Sequence, residues 1–555
     1  MKETTMETRL NGATEIHLPS ATEERTLRHL PDPAALFAGL TEGVTRPHTI
    51  LLESAEPSSG RTQRSILLTS AALRIESRGA CVALSALDEN GLALLPIMKE
   101  RFAAFSPRGD ARRLEMTVLL PARLRSGTEE ERLHAPSSLC VLRGVLTLAA
   151  HSLADERNAF LAVSFSYDLV EQFETLPRAS GDNNACDPSS SANYPDYLFY
   201  LADELIEVDH IAGRTRIVVH AFSADEKPRL RARLDALQKD VLASLPVSSV
   251  SASPPASGGI APFGPPAAVD EDDATYAAHV VRIKEHIEAG DVFQIVLSRS
   301  FQVPCSDPFA AYTALRALNP SPYLFYMNGG EHVLFGASPE SSVKVTPGDG
   351  GARTVEISPI AGTRPRGLRP DGSVDPDLDG RMEAELRLDE KENAEHMMLI
   401  DLARNDVARV SKPGTRYVAD FLRTERYSHV MHLASRVCGE LKEDLDALDA
   451  YRAAMNMGTL TGSPKIRAMQ LLREHEPARR GPYGGAIGYL RGDGSMDTAI
   501  VIRSAIVREG TATVHAGAGI VHDSVPATEA DETRRKAAAV LRAIEIAKAN
   551  AREVA

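Results

Sequence analysis

Tryptophan is absent from all 555 residues of this sequence, and cysteine occurs only five times. The cysteines stand far apart and form no pair with zinc-finger spacing, so neither a zinc framework nor a set of disulfides is predicted. No run of about 18 apolar residues occurs, and the first residues do not form the apolar core of a secretory signal. We therefore expect a soluble protein of the cytoplasm that has no membrane segment.

Clusters of basic residues are also missing, and the net charge is −14. Nucleic-acid binding needs grouped Lys and Arg side chains that displace counterions from phosphates, so we expect no nucleic-acid partner. An anionic small molecule remains compatible with this charge if its pocket is locally positive. The composition, 43% apolar and 25% charged, is that of a globular protein large enough for two or more lobes.

One segment, 245–273, is rich in Pro, Ser, Gly and Ala and has no apolar periodicity, which is typical of a linker or an exposed loop. We expect it to divide the chain into an N-terminal lobe, 1–244, and a C-terminal lobe, 274–555. A shorter polar segment, 180–196, also predicts a loop.

Short β-type segments joined by glycine-rich turns recur in the C-terminal lobe, for example in EHVLFGASPE, ARTVEISPI and GGAIGYLRGDGS. Such short turns indicate antiparallel pairing, because parallel strands need long crossovers. Helical periodicity over 382–410, 443–474 and 526–550 interrupts or ends the series of strands. The pattern predicts an α+β fold in which helices pack on large antiparallel sheets.

Two pairs of glutamates share one spacing. Glu392 and Glu395, in the stretch KENAEH, lie three residues apart on one helix face, and Glu529 and Glu532 repeat this with Lys536 one turn further on. Each pair alone is also explained as a solvated helix face. A zinc-peptidase site is disfavoured, because it needs two histidines and the stretch has one. Carboxylates from two helices together suit Mg²⁺, which prefers oxygen ligands and bridges to anionic substrates.

Other motifs are weak. The stretch GTLTGSPK, 458–465, has the composition of a phosphate loop but the wrong order of glycine and lysine. The stretch HAGAGIVH lacks the third glycine of a dinucleotide loop, and no G-x-S-x-G serine elbow occurs.

Seven blocks stand in order between about 275 and 545: PIAGTRPRG, ENAEHMMLIDLARNDVARV, RYSHVMHLASRVCGEL, MNMGTLTGSPKIRAMQL, GPYGGAIGYL, DTAIVIRSAIV and HAGAGIVHDSVPATEADETRRKA. Together they resemble the chorismate-utilising enzymes and, within that family, component I of the anthranilate synthases. LLESAE and FSYDLVEQFE in the N-terminal lobe share the resemblance. It implies an αββα sandwich of two large antiparallel sheets flanked by helices, with the active-site cleft in the C-terminal lobe.

The resemblance also implies roles for individual residues. Glu395 and Glu532 match the direct Mg²⁺ ligands, and Glu392 and Glu529 match their partners. Arg503 matches the arginine that binds a substrate carboxylate, as a bidentate guanidinium can. The remaining substrate-binding positions are Gly362, Thr363, Tyr483, Gly517, Ala518, Gly519 and Lys536.

Two residues match the catalytic positions of the family. Glu340, in GASPES, resembles the general acid that protonates the departing C4 hydroxyl, a role that requires a carboxyl group that stays protonated near neutral pH. His432, in VMHLAS, resembles the histidine associated with aromatisation. Its apolar surroundings in the sequence also suit a structural core histidine.

Two further positions separate the branches of the family. Isochorismate and salicylate synthases have a lysine base at the place of Gln294, and aminodeoxychorismate synthases have a nucleophilic lysine at the place of Ala361. With neither lysine present, the resemblance implies that ammonia adds directly and that pyruvate leaves to give anthranilate. An enzyme that stops at the aminated intermediate and a sensor without catalysis are the alternatives.

Ammonia requires a source. None of the five cysteines lies in a glycine-rich elbow of the kind that glutaminases use. A separate glutamine amidotransferase subunit, component II, is therefore implied, and with it a hetero-oligomer.

The N-terminal lobe is expected to bind tryptophan as a feedback inhibitor. LLES and NPSPYLFYM resemble the effector motifs of the family, which makes Glu53, Ser54, Pro322, Tyr323 and Leu324 the candidate residues. An edge strand packed on a proline-rich turn is the structural alternative. A chain without tryptophan suits an enzyme that is needed when tryptophan runs out.

Overall fold

The computed structural model describes residues 18–56, 59, 61–118, 128–177, 194–245, 268–371, 373–427, 430–476 and 478–554. Residues 180–193 of the predicted loop and 246–267 of the predicted linker lie outside this described part. No helix in the described ranges is long and apolar enough to cross a membrane.

Thirteen α-helices occur within the described residues. They are α1 (Pro33–Leu40), α2 (Glu89–Arg101), α3 (Glu129–Leu133), α4 (Leu139–Ser152), α5 (Lys227–Ala243), α6 (Asp273–Glu288), α7 (Pro308–Leu318), α8 (Pro376–Leu388), α9 (Glu390–Val410), α10 (Ala447–Ala454), α11 (Gly458–Thr461), α12 (Lys465–His475) and α13 (Pro526–Val554).

The same residues form twenty-three strands. They are β1 (Ala21–Leu27), β2 (Thr49–Ala55), β3 (Thr62–Arg78), β4 (Cys81–Ala86), β5 (Arg108–Gly109), β6 (Arg113–Thr117), β7 (Phe160–Phe165), β8 (Tyr197–Asp209), β9 (Arg214–Ala221), β10 (Ala268–Val269), β11 (Gln294–Pro304), β12 (Tyr323–Asn328), β13 (Val333–Ser338), β14 (Ser341–Pro347), β15 (Arg353–Ile357), β16 (Ile360–Pro365), β17 (Tyr417–Arg426), β18 (Val430–Glu440), β19 (Gly462–Ser463), β20 (Ala486–Arg491), β21 (Met496–Ile500), β22 (Ser504–Arg508) and β23 (Thr511–Ile520).

Every strand pairing in the described residues is antiparallel, which agrees with the predicted sheet type. One sheet has the order β1-β9-β8-β3-β2-β12-β13-β22-β23-β11-β10. The other has the order β5-β6-β4-β3-β8-β7-β20-β21-β14-β15-β18-β17.

The long strands β3 and β8 belong to both sheets. Their register shifts between Leu68 and Leu73, where a β-bulge bends the pair and turns it from the first sheet into the second. The α+β prediction of two large antiparallel sheets is thereby confirmed. Both sheets also cross the predicted lobe boundary, because β2 pairs with β12 and β7 pairs with β20.

The predicted helix over 382–410 is two helices in the structure. Asp389 has extended backbone angles, φ −72° and ψ 112°, and its side chain accepts a hydrogen bond from the Glu392 N–H, so it ends α8 and caps α9. The segment 443–474 likewise divides into α10, α11 and α12, because Gly462 has φ of +122° and Pro464 follows it. Apolar periodicity predicted these regions, and local backbone chemistry set their ends.

Arg299 fixes α13 against the first sheet. It lies on β11, and its guanidinium donates to Thr533 Oγ1 at 2.9 Å and to the Ala530 carbonyl oxygen at 2.8 Å. It also donates to the Glu271 carbonyl oxygen, just before α6 begins. The first turns of α13, which carry Glu529, are thus held in place by a buried cation.

Candidate active site

A β-bulge sets the position of His432. Strands β16 and β18 change register between Ala361 and Arg364, so that Gly362 and Thr363 together lie opposite His432. Gly362 has φ of +73°, a conformation that favours glycine. The Nδ1 atom of His432 lies 2.9 Å from the Gly362 carbonyl oxygen and 3.1 Å from Thr363 Oγ1.

The protonation state of His432 follows from these contacts. A carbonyl oxygen only accepts hydrogen bonds, so Nδ1 carries the proton and Nε2 keeps its lone pair. Burial lowers the pKa of His432 to about 4, and the charge of Arg503 acts in the same direction. At neutral pH the imidazole is therefore neutral and able to accept a proton.

Glu340 lies in the turn between β13 and β14 and is 6% exposed. The small cavity around it is lined mostly by apolar residues such as Ile357 and Leu399, together with Thr459 and Asp406. This burial raises the pKa of Glu340 to about 8, although the charge of Lys536 opposes the rise. Glu340 therefore holds its proton at neutral pH and is able to donate it.

Helices α9 and α13 bring the two glutamate pairs together. Glu392 and Glu395 lie in the first turns of α9, and Glu529 and Glu532 lie in the first turns of α13. Burial raises the pKa of Glu395, and the charges of the other three glutamates raise it further. The four predicted metal-binding residues therefore lie within electrostatic reach of one another.

Neighbouring cations lie near three of these carboxylates, and the pair of Lys391 with Glu395 is the longest, at 3.9 Å. Arg364 Nη1 donates to Glu392 Oε1 at 3.1 Å, and Lys536 Nζ lies 2.7 Å from Glu532 Oε1. The Lys536 pair lowers the pKa of Glu532 in spite of its burial, whereas burial and the charge of Glu532 raise the pKa of Glu529. The cations therefore offset the charges of the four glutamates unequally.

Among the described residues, no three His, Cys, Asp or Glu side chains stand around one point as a finished metal site. The four glutamates nevertheless fit a hard dication by donor type, because they offer carboxylate oxygens only. Burial is the main cause of the raised pKa values of Glu395 and Glu529, and repulsion between the glutamates, which a dication would remove, adds to it.

Cations and backbone groups line the other side of the cleft. Arg503, between β21 and β22, donates from Nη1 to the Lys536 carbonyl oxygen at 2.8 Å, and Lys536 Nζ donates to the Gly517 carbonyl oxygen at 2.9 Å. The Tyr483 hydroxyl oxygen lies 3.1 Å from the place where a Cβ atom on Gly517 would stand. The structure thus brings the predicted anion-binding residues to one edge of β23.

The two positions that separate the family branches carry no ionisable group. Gln294 is 8% exposed, and its Oε1 has no hydrogen-bond partner within the described residues. Its Nε2 lies 2.7 Å from the place of a Cβ atom on Gly519, so a larger residue there would displace the Gln294 amide. Ala361, next to the bulge, presents only a methyl group.

Cavities of about 640 Å³ and about 380 Å³ lie elsewhere in the fold. The larger of these contains predicted effector residues in its lining. Glu53, Ser54, Tyr323 and Leu324 line this larger cavity, which lies where β2 pairs with β12. The Tyr323 hydroxyl donates to Asp497 Oδ1 at 3.0 Å. The cavity has the size of small-molecule sites in general.

The predicted effector residues are not equivalent. Glu53 is 3% exposed and is bound by the Tyr312 hydroxyl and by Arg316 Nη2, the latter at 3.0 Å. Its charge is therefore already paired on the α7 side of the sheet. Pro322 precedes β12 and is not among the residues that line the cavity.

Sequence reasoning missed Arg364, which binds both Glu392 and Asp389. Its place beside Gly362 in PIAGTRPRG was the available signal. His396, the histidine of KENAEH, is fully buried, and its Nε2 lies 2.8 Å from Ser435 Oγ. It therefore packs inside the protein and does not join the glutamates.

Comparison with known proteins places this arrangement in a family. Residues 103–542 match the family described as chorismate binding enzyme. The chain belongs to the chorismate binding enzymes.

Curated relatives of this chorismate binding enzyme include anthranilate synthase component 1 of Salmonella typhimurium, 47% identical over 526 residues, with 92% of this chain and 94% of that protein covered. The Vibrio cholerae protein of the same name is 48% identical over 525 residues, with 93% and 95% covered. The crystal structure of anthranilate synthase component I from Streptococcus pneumoniae is 27% identical and superposes with a TM-score of 0.61, covering 86% and 92%. The predicted resemblance and fold are confirmed.

The state of Glu340 generates a pH prediction for this chorismate binding enzyme. With free ammonia held constant, kcat/KM for chorismate is expected to fall about tenfold per pH unit above pH 8, because the acid form of Glu340, with its pKa of about 8, is then lost. Glu340→Gln is expected to lower kcat by about 100-fold to 10,000-fold, since an amide holds no acidic proton. Steady-state kinetics from pH 6 to 10 measure both effects. A flat profile through this range contradicts the assignment.

Proposed function

We propose that this chorismate binding enzyme is component I of an anthranilate synthase. It converts chorismate and ammonia into anthranilate, pyruvate and water, the first step toward tryptophan. The observation that carries the proposal is that a protonated acid, Glu340, and a neutral base, His432, lie near one residue, Tyr427. The Tyr427 hydroxyl donates to the Pro339 carbonyl oxygen at 3.2 Å, next to Glu340, and its ring centre lies 5.1 Å from that of His432. The names and the 47–48% identity of the curated relatives support it.

The first step needs the acid. The lone pair of ammonia forms a bond to C2 of chorismate, the ring double bonds shift, and the C4–O bond breaks with its electron pair. The Glu340 carboxyl gives its proton to the departing oxygen, which leaves as water. A carboxyl group with an ordinary pKa would already be ionised at neutral pH and could not do this. The new ammonium group releases one proton to solvent and becomes an amine, and Glu340 takes one proton back.

The second step needs the base. Nε2 of His432 takes the proton from C2, the C3–O bond breaks, and the ring becomes aromatic. The enolpyruvyl group leaves with the electron pair and gains a proton to become pyruvate. The bulge at Gly362 and Thr363 holds Nδ1 of the ring, so that Nε2 is the free nitrogen.

The two carboxylates of chorismate need positive partners. Arg503 and Lys536 stand at one end of the cleft, where a guanidinium can bind a carboxylate with two parallel hydrogen bonds. Glu395 and Glu532 would hold Mg²⁺, with Glu392 and Glu529 in support. When bound, the ion supplies charge stabilisation at the ring carboxylate.

The chain has no lysine at position 294 or 361, so neither activated water nor a lysine nucleophile competes with ammonia. Since no glutaminase nucleophile is recognised in the sequence, the nitrogen source is external. In the cell we expect a glutamine amidotransferase subunit to supply it in a cytoplasmic hetero-oligomer.

The nitrogen source tests the proposal. The isolated chain, given chorismate and Mg²⁺, is expected to form fluorescent anthranilate with ammonium salts and none with glutamine, because no glutaminase nucleophile is recognised in its sequence. Fluorescence at the anthranilate wavelengths measures anthranilate, and a separate assay measures pyruvate. The two products are expected in equal amounts. An aminated product without pyruvate, or turnover of glutamine by this chain alone, would overturn the proposal.

The glutamates generate a second test. Glu395→Gln is expected to lower turnover with ammonia by about 100-fold or more and to weaken Mg²⁺ binding in calorimetry, because a carboxylate ligand is lost. Glu390→Gln, a change at an exposed glutamate on the same helix, serves as the matched control and is expected to leave both unchanged. Full activity of the wild type in EDTA contradicts the metal assignment.

Feedback inhibition by tryptophan is proposed for the cavity at β2 and β12. Tyr323 and Phe325 offer aromatic walls, and Arg64 and Asp497 offer opposite charges for an amino acid. Linkage requires chorismate and tryptophan to weaken each other's binding by the same factor if they favour different states.

Substitutions in this cavity separate regulation from catalysis. Ser54→Ala and Tyr323→Ala are expected to raise the inhibition constant for tryptophan at least tenfold while kcat stays within about twofold, because both residues lie in the cavity and outside the cleft. Tyr417→Ala, at a tyrosine that is 56% exposed on β17, is the control. Inhibition curves at subsaturating chorismate measure the effect, and unchanged inhibition in both cavity variants rules the cavity out.

A further inference from the structure

A second cavity, of about 380 Å³, lies between α9, α12 and the N-terminal part of the chain. The end of the GTLTGSPK stretch lines this cavity with Ser463, Pro464 and Lys465. The reaction proposed above makes no use of it. Its lining combines charged and apolar side chains.

Most of the charged residues that line the cavity are basic. The four basic residues are Arg132, Arg409, Arg452 and Lys465, and the two acidic residues are Glu174 and Asp406. The cavity thus has a formal excess of two positive charges in a chain whose net charge is −14. Glu174 pairs with Arg132, and Asp406 pairs with Lys465.

Two backbone carbonyl oxygens and an aromatic ring hold Arg452 in place. Its Nη1 donates to the carbonyl oxygens of Leu133 and Ala135, at 3.1 and 3.2 Å. Its guanidinium lies over the Phe173 ring, 4.3 Å from the ring centre. Burial lowers the pKa of Arg452 to about 10, the charge of Asp449 opposes this fall, and the charges of nearby arginines add to it.

The backbone adds to this field. Helix α12 spans eleven residues from Lys465, and no side chain caps its N-terminus. Its first N–H groups and the positive end of its dipole therefore face the same region as Lys465 and Ile466 of the cavity wall. The order of glycine and lysine in GTLTGSPK differs from a phosphate loop, but the fold still brings a lysine and a helix N-terminus together.

The cavity lining also contains the apolar residues Leu133, Val170, Phe173, Leu402 and Met455. A bare inorganic ion would leave these residues without a contact. A volume of about 380 Å³ falls in the range of small organic ligands.

We propose that this cavity is a second ligand site, which binds a small organic anion with an apolar body and one phosphate or carboxylate group. The anionic group pairs with Arg452 beside the N-terminus of α12, and the apolar body packs against Phe173 and Leu402. The site is separate from the chorismate cleft, although Leu402 and Asp406 also line the small cavity that contains Glu340.

Four probes test the site by calorimetry. Phenyl phosphate and benzoate carry both features, inorganic phosphate lacks the apolar body, and benzyl alcohol lacks the charge. The titrations use the full chain with Arg503→Gln, so that the predicted chorismate cleft has lost its carboxylate-binding cation. We expect phenyl phosphate or benzoate to bind at least tenfold more tightly than the other two probes, and the tighter of them identifies the anionic group.

Arg452→Met, made in the same chain, keeps the length of the side chain over Phe173 and removes its charge. It is expected to raise the dissociation constant of the better probe at least tenfold, whereas Arg231→Met, at an exposed arginine on α5, is expected to change it less than twofold. If Arg452→Met does not fold, Arg132→Met at the partly exposed rim is expected to weaken binding severalfold. Equal binding of benzyl alcohol, no binding of either aromatic anion, or binding that the cavity arginines do not affect overturns the proposal.

Discussion

The guanidinium of Arg299 is 1% exposed, and the elements of the cleft are arranged around it. It joins β11, the start of α6 and the first turns of α13 through hydrogen bonds to Thr533 Oγ1 and to two backbone carbonyl oxygens. A buried cation is tolerated only where such bonds replace its water. As a result, Glu529 and Glu532 have a fixed position relative to β23 and to α9, the helix that carries Glu392 and Glu395.

Burial then sets the chemistry of the cleft. The same loss of water raises the pKa of Glu340 to about 8 and lowers that of His432 to about 4. An acid that keeps its proton and a base that keeps its lone pair therefore coexist at neutral pH. Carboxylates on α9 and α13 repel one another, and Arg503 and Lys536 supply positive charge beside them. In the proposed function, the substrate and Mg²⁺ would complete this charge balance.

Much of this was accessible from the sequence, and particular residues explain why. Antiparallel sheets followed from the short glycine-rich turns, and the long helix α13 followed from its apolar period. The glutamate spacing placed each pair on one helix face, but it could not bring the two pairs together, because they are 137 residues apart by the numbers of Glu392 and Glu529. The break at Asp389 escaped the periodicity, since one capping side chain ended a pattern that otherwise continued.

The sequence by itself determined the α+β class, the charge pattern and the family, because these depend on residue type and spacing along the chain. Only the tertiary structure decided that both sheets run through both predicted lobes, since strand pairing such as Glu53 with Leu324 joins distant segments. It also decided the different environments of two histidines. His396 is buried against Ser435 and His432 is oriented by a bulge, and no local pattern separates the two, because burial and hydrogen-bond partners come from packing.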